Sequence, residues 1–140
     1  MLIDPKVIGT TSEPMEFEVE KGHIRRFVEA LGDENPLFTD TEYAKKCGFA
    51  NVIAPPTFPT TFRVPMPIDV DYARFLHGEQ AYSYTRPIVA GDVIRCVSKV
   101  ANIFEKKTSL GEVTFLVTEL IGTDPQGNHV FTATSTAIIH

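Results

Sequence analysis

With 140 residues, 43% hydrophobic and 22% charged, the chain has the size and make-up of one ordinary globular domain and lies far from the profile of a disordered segment. Its 13 basic and 18 acidic residues give a formal charge of −5 with no basic run, which argues against nucleic acid as a partner. Cys47 and Cys96 have no CxxC spacing and no histidine at ligand distance in the sequence, so reduced thiols are expected and a structural zinc is not.

The opening residues lack the basic start and long apolar stretch of a signal peptide, and no apolar run approaches the ~20 residues of a bilayer span. A soluble, cytoplasmic protein without membrane contact is the expectation. Met15, Phe17 and Val19 alternate with Glu16 and Glu18, a period of two that predicts a short strand with one apolar face. Ile24, Phe27, Val28 and Leu31 then recur at i, i+3, i+4 and i+7, one stripe of a helix, with Gly32 placed to end it. Thr39-Asp40 can cap a second short helix through Tyr43–Cys47, which Gly48 would stop.

Five of the chain's ten prolines fall between Ala54 and Gly78, which excludes long central strands there. Proline suits the first turn of a helix, so Thr57–Val64 is a candidate helix and Val70–Leu76 a weaker one. Beyond Gly78 the chain reads as strands over Gln80–Arg86, Val93–Phe104, Glu112–Ile121 and Val130–Ile139. The connections Ala90-Gly91-Asp92, Ser109-Leu110-Gly111 and Asp124-Pro125-Gln126-Gly127 have the residues and length of hairpin turns. A strand, then helices, then an antiparallel meander is an α+β plan in which the sheet covers a helix.

Three stretches then stand out together. Gly32-Asp33-Glu34-Asn35-Pro36-Leu37-Phe38-Thr39-Asp40 is followed by Gly48-Phe49 and Val52-Ile53-Ala54-Pro55-Pro56-Thr57-Phe58. Farther on come Leu76-His77-Gly78-Glu79-Gln80 and Tyr84-Thr85-Arg86-Pro87-Ile88-Val89-Ala90-Gly91-Asp92. In this order they resemble the MaoC-like or FAS1-like dehydratases. The closest resemblance is to the N-terminal half of the two-unit (R)-specific enoyl-CoA hydratases and to the non-catalytic type of subunit in bacterial heterodimeric (3R)-hydroxyacyl dehydratases.

The resemblance covers nearly the whole chain, residues 1–140, as one unit. It implies a hot-dog fold: a long central helix wrapped by a curved antiparallel sheet of about five or six strands. It also implies pairing with a second hot-dog unit, as a homodimer or a heterodimer, and reversible hydration of an enoyl thioester of coenzyme A or acyl carrier protein, with no metal or redox cofactor.

Such hydration needs a proton acceptor, a group serving the β-oxygen and donors on the thioester carbonyl. In catalytic members of the family an Asp and a His five positions apart move the protons. Here Asp33 occupies the Asp position, Asn35-Pro36 the turn, and Phe38 the His position, and a phenyl ring exchanges no proton. Where catalytic members carry His-Gly, this chain has Pro55-Pro56, which supply no N–H. Both departures favour a subunit that binds the acyl chain and supports a catalytic partner. The alternative is a self-sufficient homodimeric hydratase using Asp33 with a relocated base, for which His77 is the candidate. An acyl-thioester-binding protein remains a further alternative, and a thioesterase is disfavoured because Thr57–Val64 holds no carboxylate.

Each assignment has a plainer reading. Asp33 can simply cap its turn, Phe38, Phe58, Phe62 and Tyr84 can line an acyl pocket or pack as core, and Arg86 can meet a ligand phosphate or form an ion pair. His77 reads more simply as a hydrogen-bonding residue that fixes a loop. His23 is expected on the polar side of its helix, and His129 near a turn without a catalytic partner.

Overall fold

The computed structural model describes residues 2–109 and 111–140. Five strands form one antiparallel sheet in the order β1-β3-β4-β5-β2, with β1 Met15–Glu18, β2 Phe75–Tyr84, β3 Val93–Thr108, β4 Gly111–Thr123 and β5 His129–Ile139. Each expected strand is present; β3 and β4 run beyond their predicted ends because pairing continues through polar residues such as Lys106, Lys107 and Glu112, whereas β2 starts at Phe75 and stops at Tyr84, short of the expected Arg86. Of the expected turn at 109–111, Leu110 lies outside the described residues.

Helix α1 spans Lys21–Leu31 and α2 Thr41–Lys46. In α1 the predicted stripe buries Ile24 and Val28, with Phe27 packed at its margin, while Leu31 faces solvent. Gly32 ends the helix at φ 70°, its N–H on the carbonyl of Glu29, a left-handed position that glycine adopts without strain. Asp40 caps α2 by accepting from the N–H of Tyr43 at 3.1 Å.

The α+β plan of a sheet covered by helix holds, and the correction is to the helix expected over Thr57–Val64. Thr57–Val64 yields only a 3-10 turn over Phe58–Thr61, and Val70–Leu76 yields another over Tyr72–Arg74 that runs directly into β2. Pro59 lies in the first turn, where proline is tolerated because its N–H would have no intrahelical partner, so it does not by itself stop a helix. Pro65 and Pro67 then hold their predecessors extended, so the segment cannot lengthen. The sheet is therefore covered by α1 and short turns, and part of its inner face is left to loops.

Most buried side chains gather in one core joining α1, the Phe58 turn and the sheet. A smaller cluster of Val100, Ile103, Leu116 and Ile139 lies beneath the 66–75 segment and Ile3 and Val7. Aromatic rings run through the main core: Phe58 meets His23, Phe27 and Phe62 at 5.0, 5.4 and 5.6 Å, and Phe62 meets Phe131 at 5.9 Å. His23, expected on the polar face, thus packs its ring on the core. Cys96 is buried, and burial pushes its thiol up to about 12, so it carries no thiolate reactivity near neutral pH.

Opposite the buried Phe131, β4 has Gly122 in register, and a Cβ built there would fall 2.1 Å from the Phe131 ring. Gly122→Ala is expected to lower stability by about 1–3 kcal/mol, the usual cost of overpacking. Denaturant unfolding should show this loss shrinking in a Phe131→Leu background, because the two positions share one volume.

Candidate functional site

The residues that carry the sequence motifs meet at one end of the sheet. Asp33 Oδ1 accepts from the N–H of Asn35 at 2.9 Å, and Asn35 Oδ1 accepts from the N–H of Leu37 at 3.0 Å, two successive Asx turns that set the 33–38 loop. That loop is tied onward by the N–H of Ile53 donating to the Leu37 carbonyl at 3.0 Å and the N–H of Ala54 to the Ile88 carbonyl at 2.8 Å. Between the loop, the 53–56 segment and the end of β2 lies a cleft of about 350 Å³ bordered by Asn35, Leu37, Phe38, Pro56, Tyr84 and Arg86.

Tyr84 Oη donates to the Pro56 carbonyl at 2.5 Å, fixing the prolines against β2. Burial, reinforced by the neighbouring Tyr82, pushes the Tyr84 phenol far above its ordinary range, so it stays protonated. Arg86 donates to Asp92 Oδ2 at 2.7 Å and to Oδ1 at 3.4 Å, and Asp92 Oδ2 also accepts from the N–H of Val89 at 2.8 Å. This half-exposed pair braces the 87–92 turn, and the guanidinium stands at the cleft with its charge already partnered. Nearby, hydrogen bonds from Asn128, together with those from Gln126 and the charge of Arg86, hold the Asp124 carboxyl below its usual range.

Among the side chains bordering the cleft none is a carboxylate or an imidazole. Of the backbone donors beside it, that of Ala54 goes to Ile88, that of Phe58 goes to Pro55 at 2.9 Å, and Pro55 and Pro56 have none. The lining of the cleft is mostly apolar, with the Asn35 amide, the Thr85 hydroxyl and the Arg86 guanidinium as its polar groups.

The structure thus brings Asn35, Phe38, Tyr84 and Arg86 to one cleft, with Asp33 one turn away and engaged in its own loop. Phe58 is fully buried in the core instead of lining a cavity. Phe62 borders a second chamber of about 220 Å³ on the inner face of the sheet, under residues 59–72. His77 lies in strand β2, opposite Ala137, not in a loop, and its imidazole makes no hydrogen bond among the described residues. Its motif has a backbone explanation: the pairing of β2 with β5 slips between His77 and Glu79, and a Cβ on Gly78 would lie 2.9 Å from the Thr136 carbonyl oxygen. A bulge with so close a backbone approach selects glycine.

Sequence reasoning missed the partners of His129, whose Nδ1 lies 2.6 Å from Thr85 Oγ1 and whose Nε2 lies 2.7 Å from Thr132 Oγ1. It also missed the chamber, whose walls come from separate strands. Among the described residues no group of His, Cys, Asp or Glu is placed to hold a metal, and no helix is long and apolar enough to cross a membrane.

Residues 6–133 match the family model described as FAS1-like, dehydratase domain region. The chain is 39% identical over 142 residues to a UPF0336 protein of Streptomyces avermitilis, covering 95% of this chain and 92% of that one. It superposes with a TM-score of 0.82 and 24% identity on the Mycobacterium tuberculosis HadBC (3R-hydroxyacyl-ACP dehydratase) complex, truncated at a C terminus, covering 99% of each chain; at that identity the likeness is one of fold. A MaoC-like dehydratase gives the same TM-score at 25% identity, with 95% of this chain matched to 42% of that longer one.

Proposed function

The chain belongs to the FAS1-like dehydratase family, and on that premise we propose that it is the acyl-binding, non-catalytic hot-dog subunit of a (3R)-hydroxyacyl-thioester dehydratase or enoyl-thioester hydratase. The observation that carries this reading is the cleft itself: the motif loop is kept, yet Phe38 fills the histidine position and Pro55-Pro56 stand where donors are needed. A site with that shape holds a thioester's apolar portion and leaves the proton transfers to another chain.

In this reading residues 1–140 act as a single hot-dog unit in the cytoplasm. Asn35, Phe38 and Tyr84 line the ligand's path, Phe62 lies deeper, and Arg86 meets a phosphate of coenzyme A or of a carrier protein's prosthetic arm. Asp33 orders the loop. A second hot-dog subunit is supported by the sheet: β2 is an outer strand of ten residues, largely exposed. An open strand edge of that length invites pairing with another chain.

Affinity purification of the tagged chain from its native host tests the pairing. A hot-dog subunit carrying an intact Asp and His motif is expected to co-purify, and the complex to hydrate trans-2-enoyl-CoA or the corresponding carrier-protein thioester. Recovery of the chain without such a subunit would contradict the reading.

A further inference from the structure

The second chamber has a floor that an apolar tail does not require. Gln80 on β2 lies directly opposite Ser135 on β5, and Ser135 opposite Thr118 on β4. On β3, Val100 is the partner of Thr118, and Ser98, two residues earlier on the same face, is its diagonal neighbour. All four polar side chains border the chamber, together with Phe62 and Tyr82. Their hydroxyl and amide groups make no hydrogen bond among the described residues. Ser98 is only 8% exposed, so its free hydroxyl is accessible mainly from the chamber.

Along the same face the surroundings of this row are apolar: Val100, Leu116, Leu120 and Ala133 lie in or against the core. None of the four groups is sealed from solvent, so water bonds to the row until a ligand oxygen takes its place. Tyr84 at the cleft and Gln80 in the row lie on the same face of β2, with Tyr82 between them. Four residues of strand are about 13 Å, the reach of a chain of about ten carbons with C–C bonds of ~1.5 Å in zigzag.

We propose that the chamber is a specificity site for an acyl thioester whose chain carries a hydroxyl or keto oxygen about ten carbons from the thioester, bound by Gln80, Ser98, Thr118 and Ser135. This rests on the reading of the cleft as the thioester site. An unsubstituted chain enters the same chamber but strips water from the polar row without replacing its hydrogen bonds, so the site discriminates against it.

The test is calorimetric titration of the full chain, with any co-purifying subunit, using terminally hydroxylated acyl-CoAs of eight, ten and twelve carbons, each against its unsubstituted counterpart. The hydroxylated chain of about ten carbons is expected to bind roughly tenfold more tightly than its counterpart. Ser98→Ala with Ser135→Ala should abolish that preference while leaving the unsubstituted chain bound at least as well. Equal binding of both ligands to the native protein, or a preference untouched by the double variant, overturns the proposal and leaves the acyl-binding role intact: the chamber then holds water only. Binding of neither ligand overturns the acyl-binding role and the proposal together.

Discussion

Phe58→Ala is expected to lower the unfolding free energy by about 3–5 kcal/mol, the range for deleting a fully buried aromatic side chain. The ring is the hub of the core: it is fully buried and meets His23, Phe27 and Phe62 edge-on. The cavity left behind is walled by His23 and Phe27 of α1 and by Phe62, packed rings that relax into it only in part. For a domain whose total stability is about 5–15 kcal/mol, urea unfolding should register most of that margin as lost. A loss below about 1 kcal/mol would mean that Phe58 borders a space already empty, as a ligand-lining residue would.

Leu37→Trp should leave folding nearly unchanged and abolish most ligand affinity. Leu37 is half-buried on the cleft wall at the margin of the core, and its carbonyl, which accepts from Ile53, survives the substitution. The indole occupies a large share of a cleft of about 350 Å³. Long-chain acyl-CoA should then bind at least about tenfold more weakly by calorimetry, since displaced ligand atoms forfeit their apolar contacts. Unchanged affinity would move the binding site elsewhere on the chain.

Those two residues illustrate what a sequence reveals and what it hides. The stripe in α1, the Gly32 stop and the Asp33–Phe38 loop are local features, settled by side chains within a few positions of one another, and all were legible. The cleft inherited that legibility because Asn35, Leu37 and Phe38 come from one loop. Pro55, Pro56 and Pro59 were equally visible, yet the family's central helix was expected over them; proline at a helix start is acceptable, and the damage comes from their number along one segment.

The Leu76-His77-Gly78-Glu79-Gln80 motif was visible as a motif, but its reason, a bulge pressing Gly78 against the Thr136 carbonyl, depends on the register between β2 and β5. No local pattern gives that register. The polar row was invisible for the same reason, since Gln80, Ser98, Thr118 and Ser135 are neighbours only across four strands. His129 likewise looked solitary until the sheet brought it to Thr85.

The most direct test is the initial rate of trans-2-enoyl-CoA hydration by the isolated chain, compared with the same assay on its Asp33→Ala variant. Both should run at the uncatalysed rate, because Asp33 is engaged in its own turn, Phe38 exchanges no proton and the prolines offer no donors. A rate well above background that disappears in Asp33→Ala would contradict the non-catalytic role and make the chain a hydratase in its own right.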